Sequence, residues 1–149
     1  MAEMAQNVSG YIAGLLDGEG CFSIRSNGRG STFAEISVKM SDPRPLELIR
    51  DIYGGSFKKR KKIPSNCKTQ WDWYIRSTQK DFNSLIKLLE DIQPYTIVKK
   101  LHCTVLSEYI QLRYVGSAHY TFQELFALSK ILNQTGPDAP ILKLIDKEK

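Results

Sequence analysis

The chain is poor in the residues that build disulfide frameworks and zinc sites. Its 149 residues include three cysteines, Cys21, Cys67 and Cys103, and two histidines, His102 and His119. The cysteine number is odd, the spacings are wide, and no Cys-x-x-Cys pair occurs. That excludes a disulfide scaffold and any recognisable zinc-ligand spacing. No basic N-terminal segment leads into a long apolar run, and no stretch reaches membrane-spanning length. The expectation is a soluble, intracellular protein of cytoplasm or organelle, with no signal peptide. Low-complexity segments and interdomain linkers are also lacking. With 42% hydrophobic residues, the chain suits one domain over 1–149, with a core over about 8–115 and a C-terminal helix and tail over about 120–149.

What is present begins with charge. Lys and Arg number 21 against 16 acids, a formal charge of +5. So modest an excess points to nucleic acid only where it is clustered, and Lys58-Lys59-Arg60-Lys61-Lys62 is such a cluster.

Hydrophobic periodicity sets the element order. Ser9 caps a first helix, with Ile12, Leu15 and Leu16 at helical spacing as far as Asp17, and Gly18-Glu19-Gly20 stops it. Alternating segments over Cys21–Asn27 and Thr32–Met40 flank Gly28-Arg29-Gly30, a hairpin turn. A helix follows over Arg44–Tyr53, then strands over Gly55–Lys62 and Thr69–Ser77 around a Pro64-Ser65-Asn66 loop. Further helices are expected over Lys80–Ile92, Ile97–Arg113 and Thr121–Asn133, and Gly136-Pro137 closes the last. Paired strands between helices imply an α+β fold, an antiparallel sheet with helices on one face.

The first helix contains an anomaly. Gly10 and Gly14 stack one turn apart, with Ala13 beside them, and each glycine costs about 1 kcal/mol relative to alanine. Close approach of another helix offsets that cost; tight packing within one chain, or a poorly formed helix, is the competing account. Asp17 and Glu19 then sit at the helix C-terminus, where the dipole disfavours acids. Carboxylates, unpaired carbonyls and glycine-permitted backbone together suit a hard divalent cation, which needs only one or two protein oxygens.

Ile12-Ala13-Gly14-Leu15-Leu16-Asp17-Gly18-Glu19-Gly20 resembles the signature of the LAGLIDADG homing endonucleases, with conservative changes at Ile12, Leu16, Gly18 and Glu19. The resemblance continues through the element order, Tyr53-Gly54-Gly55, and Gln93-Pro94 before the fourth helix. It implies an αββαββα core with a DNA-binding antiparallel sheet and extra C-terminal helices. It implies a homodimer paired through the motif helices, with Gly10, Ala13, Gly14 and Asp17 structural at that interface. Glu19 and the Gly18 carbonyl become metal ligands, Glu19 and Lys99 the catalytic groups, and Mg²⁺ or another divalent cation such as Mn²⁺ the cofactor. The implied activity is metal-dependent double-strand cleavage of a long, partly palindromic DNA site. In one respect the chain departs from the pattern. Many members carry Gln or Asn at the end of the second strand, where Met40 stands here, with Lys39 as a weak substitute.

Strand alternation supplies the surface for double-stranded DNA. With Phe22, Ile24, Phe57, Trp71, Trp73 and Ile75 inward, the outward face carries Ser23, Arg25 and Asn27 from the first strand, and Glu35, Ser37 and Lys39 from the second. The third adds Ser56, Lys58, Arg60 and Lys62, and the fourth Gln70, Asp72, Tyr74 and Arg76. Arg and Lys pair with guanine, and Asn or Gln with adenine. The competing readings are an intron RNA maturase or regulator that does not cleave, and a plain basic α/β protein whose solvated sheet face does nothing of the kind.

Overall fold

A computed structural model of the chain describes residues 2–60, 68–78, 80–116 and 120–135. The sequence expectations at Lys62, Cys67, His119, the Pro64-Ser65-Asn66 loop and the tail from Gly136 lie outside them. The elements are α1 (Ala2–Glu19), β1 (Gly20–Ser26), β2 (Thr32–Met40), α2 (Arg44–Tyr53), β3 (Ser56–Lys59), β4 (Trp71–Arg76), α3 (Phe82–Ile92), α4 (Lys100–Ile110), a π-helical turn (Gln111–Val115) and α5 (Phe122–Thr135). The strands form one antiparallel sheet in the order β1-β2-β4-β3. This is the α+β architecture expected, two hairpins joined through β2 and β4.

Most boundaries shift by one to three residues, and those of α1, β1 and α4 differ for a physical reason. α1 begins at Ala2, so Ser9 is not its cap, and it runs through Gly18 to Glu19. Only Gly20 leaves the helix, and it must be glycine: a Cβ there would lie 2.6 Å from the Leu16 carbonyl oxygen. Asn27 sits past the end of β1, where its side-chain oxygen accepts the backbone N–H groups of Arg29 (2.7 Å) and Ser31 (3.3 Å) and so builds the hairpin turn. α4 starts three residues later than expected and widens at its end, where the Gly116 N–H reaches back to the Gln111 carbonyl. The i→i+5 spacing of that bond defines the π turn.

The helices cover one face of the sheet. Phe22, Ile24, Ile36, Val38, Trp73 and Ile75 meet Ile12 and Leu16 of α1, Leu46 and Ile49 of α2, Leu85 and Leu88 of α3, and Leu106 and Tyr109 of α4 in a buried cluster. Trp73 is fully buried, as its parity requires, and its indole N–H donates to the Gly54 carbonyl. Trp71 is half-buried and stacks on Phe57. α5 opens with a reciprocal cap, the Thr121 hydroxyl accepting the Glu124 N–H and the Glu124 carboxylate accepting the Thr121 N–H. It then lies along edge strand β1, where Ser129 Oγ accepts the Ile24 N–H and Asn133 Nδ2 donates to the Phe22 carbonyl. Unpaired edge groups template aggregation, and α5 covers two of them. Leu125, Leu128 and Leu132 place α5 in the core. No helix among the described residues is long and apolar enough to cross a membrane.

His102 on α4 is 3% exposed and meets the Phe22 ring edge-on. Burial first, and the Lys99 charge second, push its pKa from 6.5 down to about 4. The unfolded chain therefore takes up this proton near pH 6.5 and the folded chain only near pH 4. The stability contributed by the neutral imidazole is fully present above the upper value and is lost as pH falls toward the lower one. Urea unfolding of the wild type should weaken across that window, by up to about 3 kcal/mol, and less so in His102→Gln. Equal losses in both proteins would assign the acid sensitivity to other groups.

Candidate active site and nucleic-acid face

The acids at the end of α1 do different jobs. Both oxygens of Asp17 accept backbone N–H groups from the turn before α4: Oδ2 from Ile97 at 2.8 Å and Oδ1 from Lys99 at 2.9 Å. An acid disfavoured at the C-terminus of its own helix is thus favourable at the N-terminus of the next. The expectation puts Asp17 at a dimer interface; the partners the structure gives it lie in its own chain. This tie also accounts for the late start of α4, since the captured N–H groups belong to residues ahead of the helix. Lys99 occupies the N-cap position and is half-buried. Asp17 therefore ties Lys99 to the helix end that carries Gly18 and Glu19.

Glu19 is exposed, with no hydrogen bond or ion pair among the described residues. The last four carbonyls of a helix lack partners within it, so Gly18 and Glu19 add backbone oxygens beside the carboxylate. No group of three His, Cys, Asp or Glu side chains gathers among the described residues as a ready-made metal cage. The donor set is hard oxygen and small in number, which fits a cation that takes its remaining ligands from water and phosphate.

The rest of α1 divides into two faces. Ala13 is fully buried with Ile12 and Leu16 in the chain's own core. It is therefore not on the pairing face expected for it; its helical angle turns it inward. Gly10, Gly14 and Gly18 recur every four residues on the other side, and a Cβ added to any of them would meet nothing within 4 Å. Packing within this chain gives no reason for these glycines.

The outward sheet face follows the expected parity. Register aligns Ser23, Glu35 and Arg76 in one row, Ser37, Tyr74 and Ser56 in a second, and Lys39, Asp72 and Lys58 in a third, with Arg25 opposite Phe33. Arg60 and Gln70 lie just beyond the strands, and the Arg60 N–H continues the ladder to the Gln70 carbonyl. Arg60 also approaches Asp72 at 3.7 Å. Glu35 departs from its expected role as a base-contacting group. It is 4% exposed, and its oxygens hold Arg25 at 2.8 Å and Arg76 at 2.7 Å. Ser23 Oγ and Asp72 Oδ1 are buried on this face with no hydrogen-bond partner among the described residues. Met40 lies on the opposite parity, packed against the core across from Trp71, while Lys39 is exposed on the polar face.

A family model described as LAGLIDADG endonuclease matches residues 12–103. The chain belongs to that family. It is 39% identical over 57 residues to a probable intron-encoded endonuclease, aI2, of Debaryomyces hansenii, over 38% of this chain and 8% of that protein. It is 33% identical over 82 residues to the intron-encoded RNA maturase bI4 of Saccharomyces cerevisiae, over 55% of this chain and 11% of that protein. The chain thus spans only about a tenth of the length of the curated relatives it matches. Among solved structures, the archaeal intron-encoded homing endonuclease I-Vdi141I, complexed with DNA, superposes at a TM-score of 0.65 with 20% identity, covering 93% of this chain and 94% of that one. I-CvuI in complex with its target and calcium gives 0.63 with 18% identity, covering 97% and 93%. I-SmaMI bound to cleaved DNA gives 0.56 with 21% identity, and there this chain covers 48% of the other. These likenesses establish the LAGLIDADG fold.

The sequence pattern alone could not reveal the Glu35 cluster or the Asp17 tie. Each joins elements distant in the chain, and the only sequence signal for Asp17 was its wrong-sign position at a helix end. Asp17→Ala should leave the two captured N–H groups without their acceptor and cost about 1–2 kcal/mol of stability. Hydrogen exchange at Ile97 and Lys99 should accelerate by more than at the start of α2; unchanged exchange there would remove the tie.

Proposed function

We propose that two copies of this LAGLIDADG chain pair through the bare face of α1 and cut both strands of a duplex DNA site lying along the polar sheet face. The carrying observation is the open stripe of Gly10, Gly14 and Gly18, ending at the unengaged Glu19 carboxylate. Each glycine costs about 1 kcal/mol in a helix, and a partner backbone in close approach repays it. Exposed Tyr11 on the same helix, Leu48 lining a groove with it, and exposed Ile97, bonded to Asp17 at the end of that helix, add apolar surface beside α1. A twofold pair presents the same base-reading surface twice, which predicts a partly palindromic target.

Glu19 and the Gly18 carbonyl are the ligands for a divalent cation, Mg²⁺ or Mn²⁺. When bound there, it supplies Lewis-acid stabilisation of phosphate oxygens and makes water a better nucleophile. Lys99 contributes a cation for charge developing on the phosphate, and Asp17 holds it in place. On the sheet, Arg25, Arg60 and Arg76 have the donor geometry for guanine, Lys39 and Lys58 that for guanine or phosphate, and Gln70 that for adenine. Ser23, Ser37, Ser56, Asp72 and Tyr74 complete the face. Calcium and DNA together in the I-CvuI complex support the choice of a hard divalent ion.

A non-cleaving role, on intron RNA or as a regulator, is the second reading. The observation favouring it is Met40, which turns inward and offers no amide at the end of β2, and the resemblance to a maturase agrees.

Incubating the protein with DNA selected for binding, with and without Mg²⁺, separates the two. The wild type should make metal-dependent double-strand breaks, and Glu19→Gln should bind the same DNA while losing cleavage at least about a hundredfold. Tight binding without cleavage by the wild type would favour the second reading. Gly14→Leu should leave the monomer folded, since its Cβ meets open space, yet convert the sedimenting dimer to monomer. A dimer that survives this substitution would place the interface elsewhere.

A further inference from the structure

Two arginines on the sheet face converge on one buried acid. Glu35, in the middle of β2, has only 5% of its side chain exposed, while the arginines it engages expose 52% (Arg25) and 39% (Arg76) of theirs. Each arginine reaches Glu35 through Nε, Arg25 to Oε1 and Arg76 to Oε2. Arg76 is held further. Its guanidinium carbon lies 4.3 Å from the centre of the Tyr74 ring and 4.8 Å from that of Phe33. A guanidinium carries five N–H donors. Using Nε to fix its plane leaves the Nη1/Nη2 fork for a ligand.

We propose that Glu35 is a positioning residue for base selection: it fixes Arg25 and Arg76 as a pair of preorganised forks that select guanines in the major groove. This rests on the reading of the sheet face as the DNA-binding surface. Neutralising a phosphate can be done by a lysine acting as a point charge, with no locked plane. The fork does need one, because guanine presents O6 and N7 at fixed spacing to two parallel N–H donors. Ordering two arginines before binding removes an entropic cost from the complex. The carboxylate also separates two like charges that would otherwise drive the forks apart. Glu35 itself touches no base; it acts through its partners.

The experiment is enrichment from a library of randomised duplex DNA in Ca²⁺, using the full chain as wild type and as Glu35→Gln, with thermal unfolding of each. The wild type should enrich guanine at one cluster of positions in each half-site. Glu35→Gln removes an anion from the face, so affinity for unselected duplex should hold or rise while guanine preference at those positions falls by about tenfold. An unchanged preference would overturn the proposal. So would a uniform loss across all sequences together with a lowered melting temperature, the mark of a purely structural acid. If Glu35→Gln does not fold, Arg25→Lys and Arg76→Lys keep the charge at exposed positions and remove the fork. Each should lose guanine preference and keep most affinity, and preference retained in both would equally sink the idea. A wild type that enriches no duplex sequence would instead overturn the DNA-binding reading underneath, which is a separate failure.

Discussion

Two hydrogen bonds that the backbone before α4 donates to the Asp17 carboxylate hold together what the rest of the site requires. They join the C-terminal end of one helix to the N-terminal end of another, so an acid and two amides of opposite partial charge meet. Lys99 and Glu19 stand on the two elements so joined. Neither residue is otherwise fixed by its local sequence, since Glu19 ends a helix in solvent and Lys99 begins one after a turn. The constraint also explains why α1 tolerates an acid in its last turn.

α1 answers to two demands at once. One side, with Ile12, Ala13 and Leu16, is sealed into the core, and the other is kept free of side chains at every fourth position. Such a helix gains stability from its own chain on one face only. On the sheet, acids are used sparingly. Glu35 and Asp72 sit low among Arg25, Lys39, Lys58, Arg60 and Arg76, so the face stays positive while two of its cations are oriented.

The order of elements, the hairpin at Gly28–Gly30 and the inward or outward sense of nearly every strand residue were legible in the sequence, because they depend on periods of two and of 3.6 residues. The nine-residue motif made the family legible as well. The errors arose where distant segments meet. Ala13 reads as an interface residue in the sequence because small residues at adjacent positions look alike until the helix is packed. The intrachain partners of Asp17 are not legible because they lie 80 residues and more along the chain. Glu35 looked like one more polar residue on an exposed strand, and only the pairing of β2 with β4 brings Arg76 to it.

The contacts between α5 and β1 carry a consequence for how the chain is made. Ile24 and Ser129 are 105 residues apart, so β1 waits for α5 before this part of its edge is covered. During synthesis at ~5–20 residues per second, β1 and β2 can pair long before α5 emerges. For several seconds the nascent protein offers an open strand edge to its neighbours on the same message. A strand edge covered only 105 residues later is one that another chain can pair with in the interval.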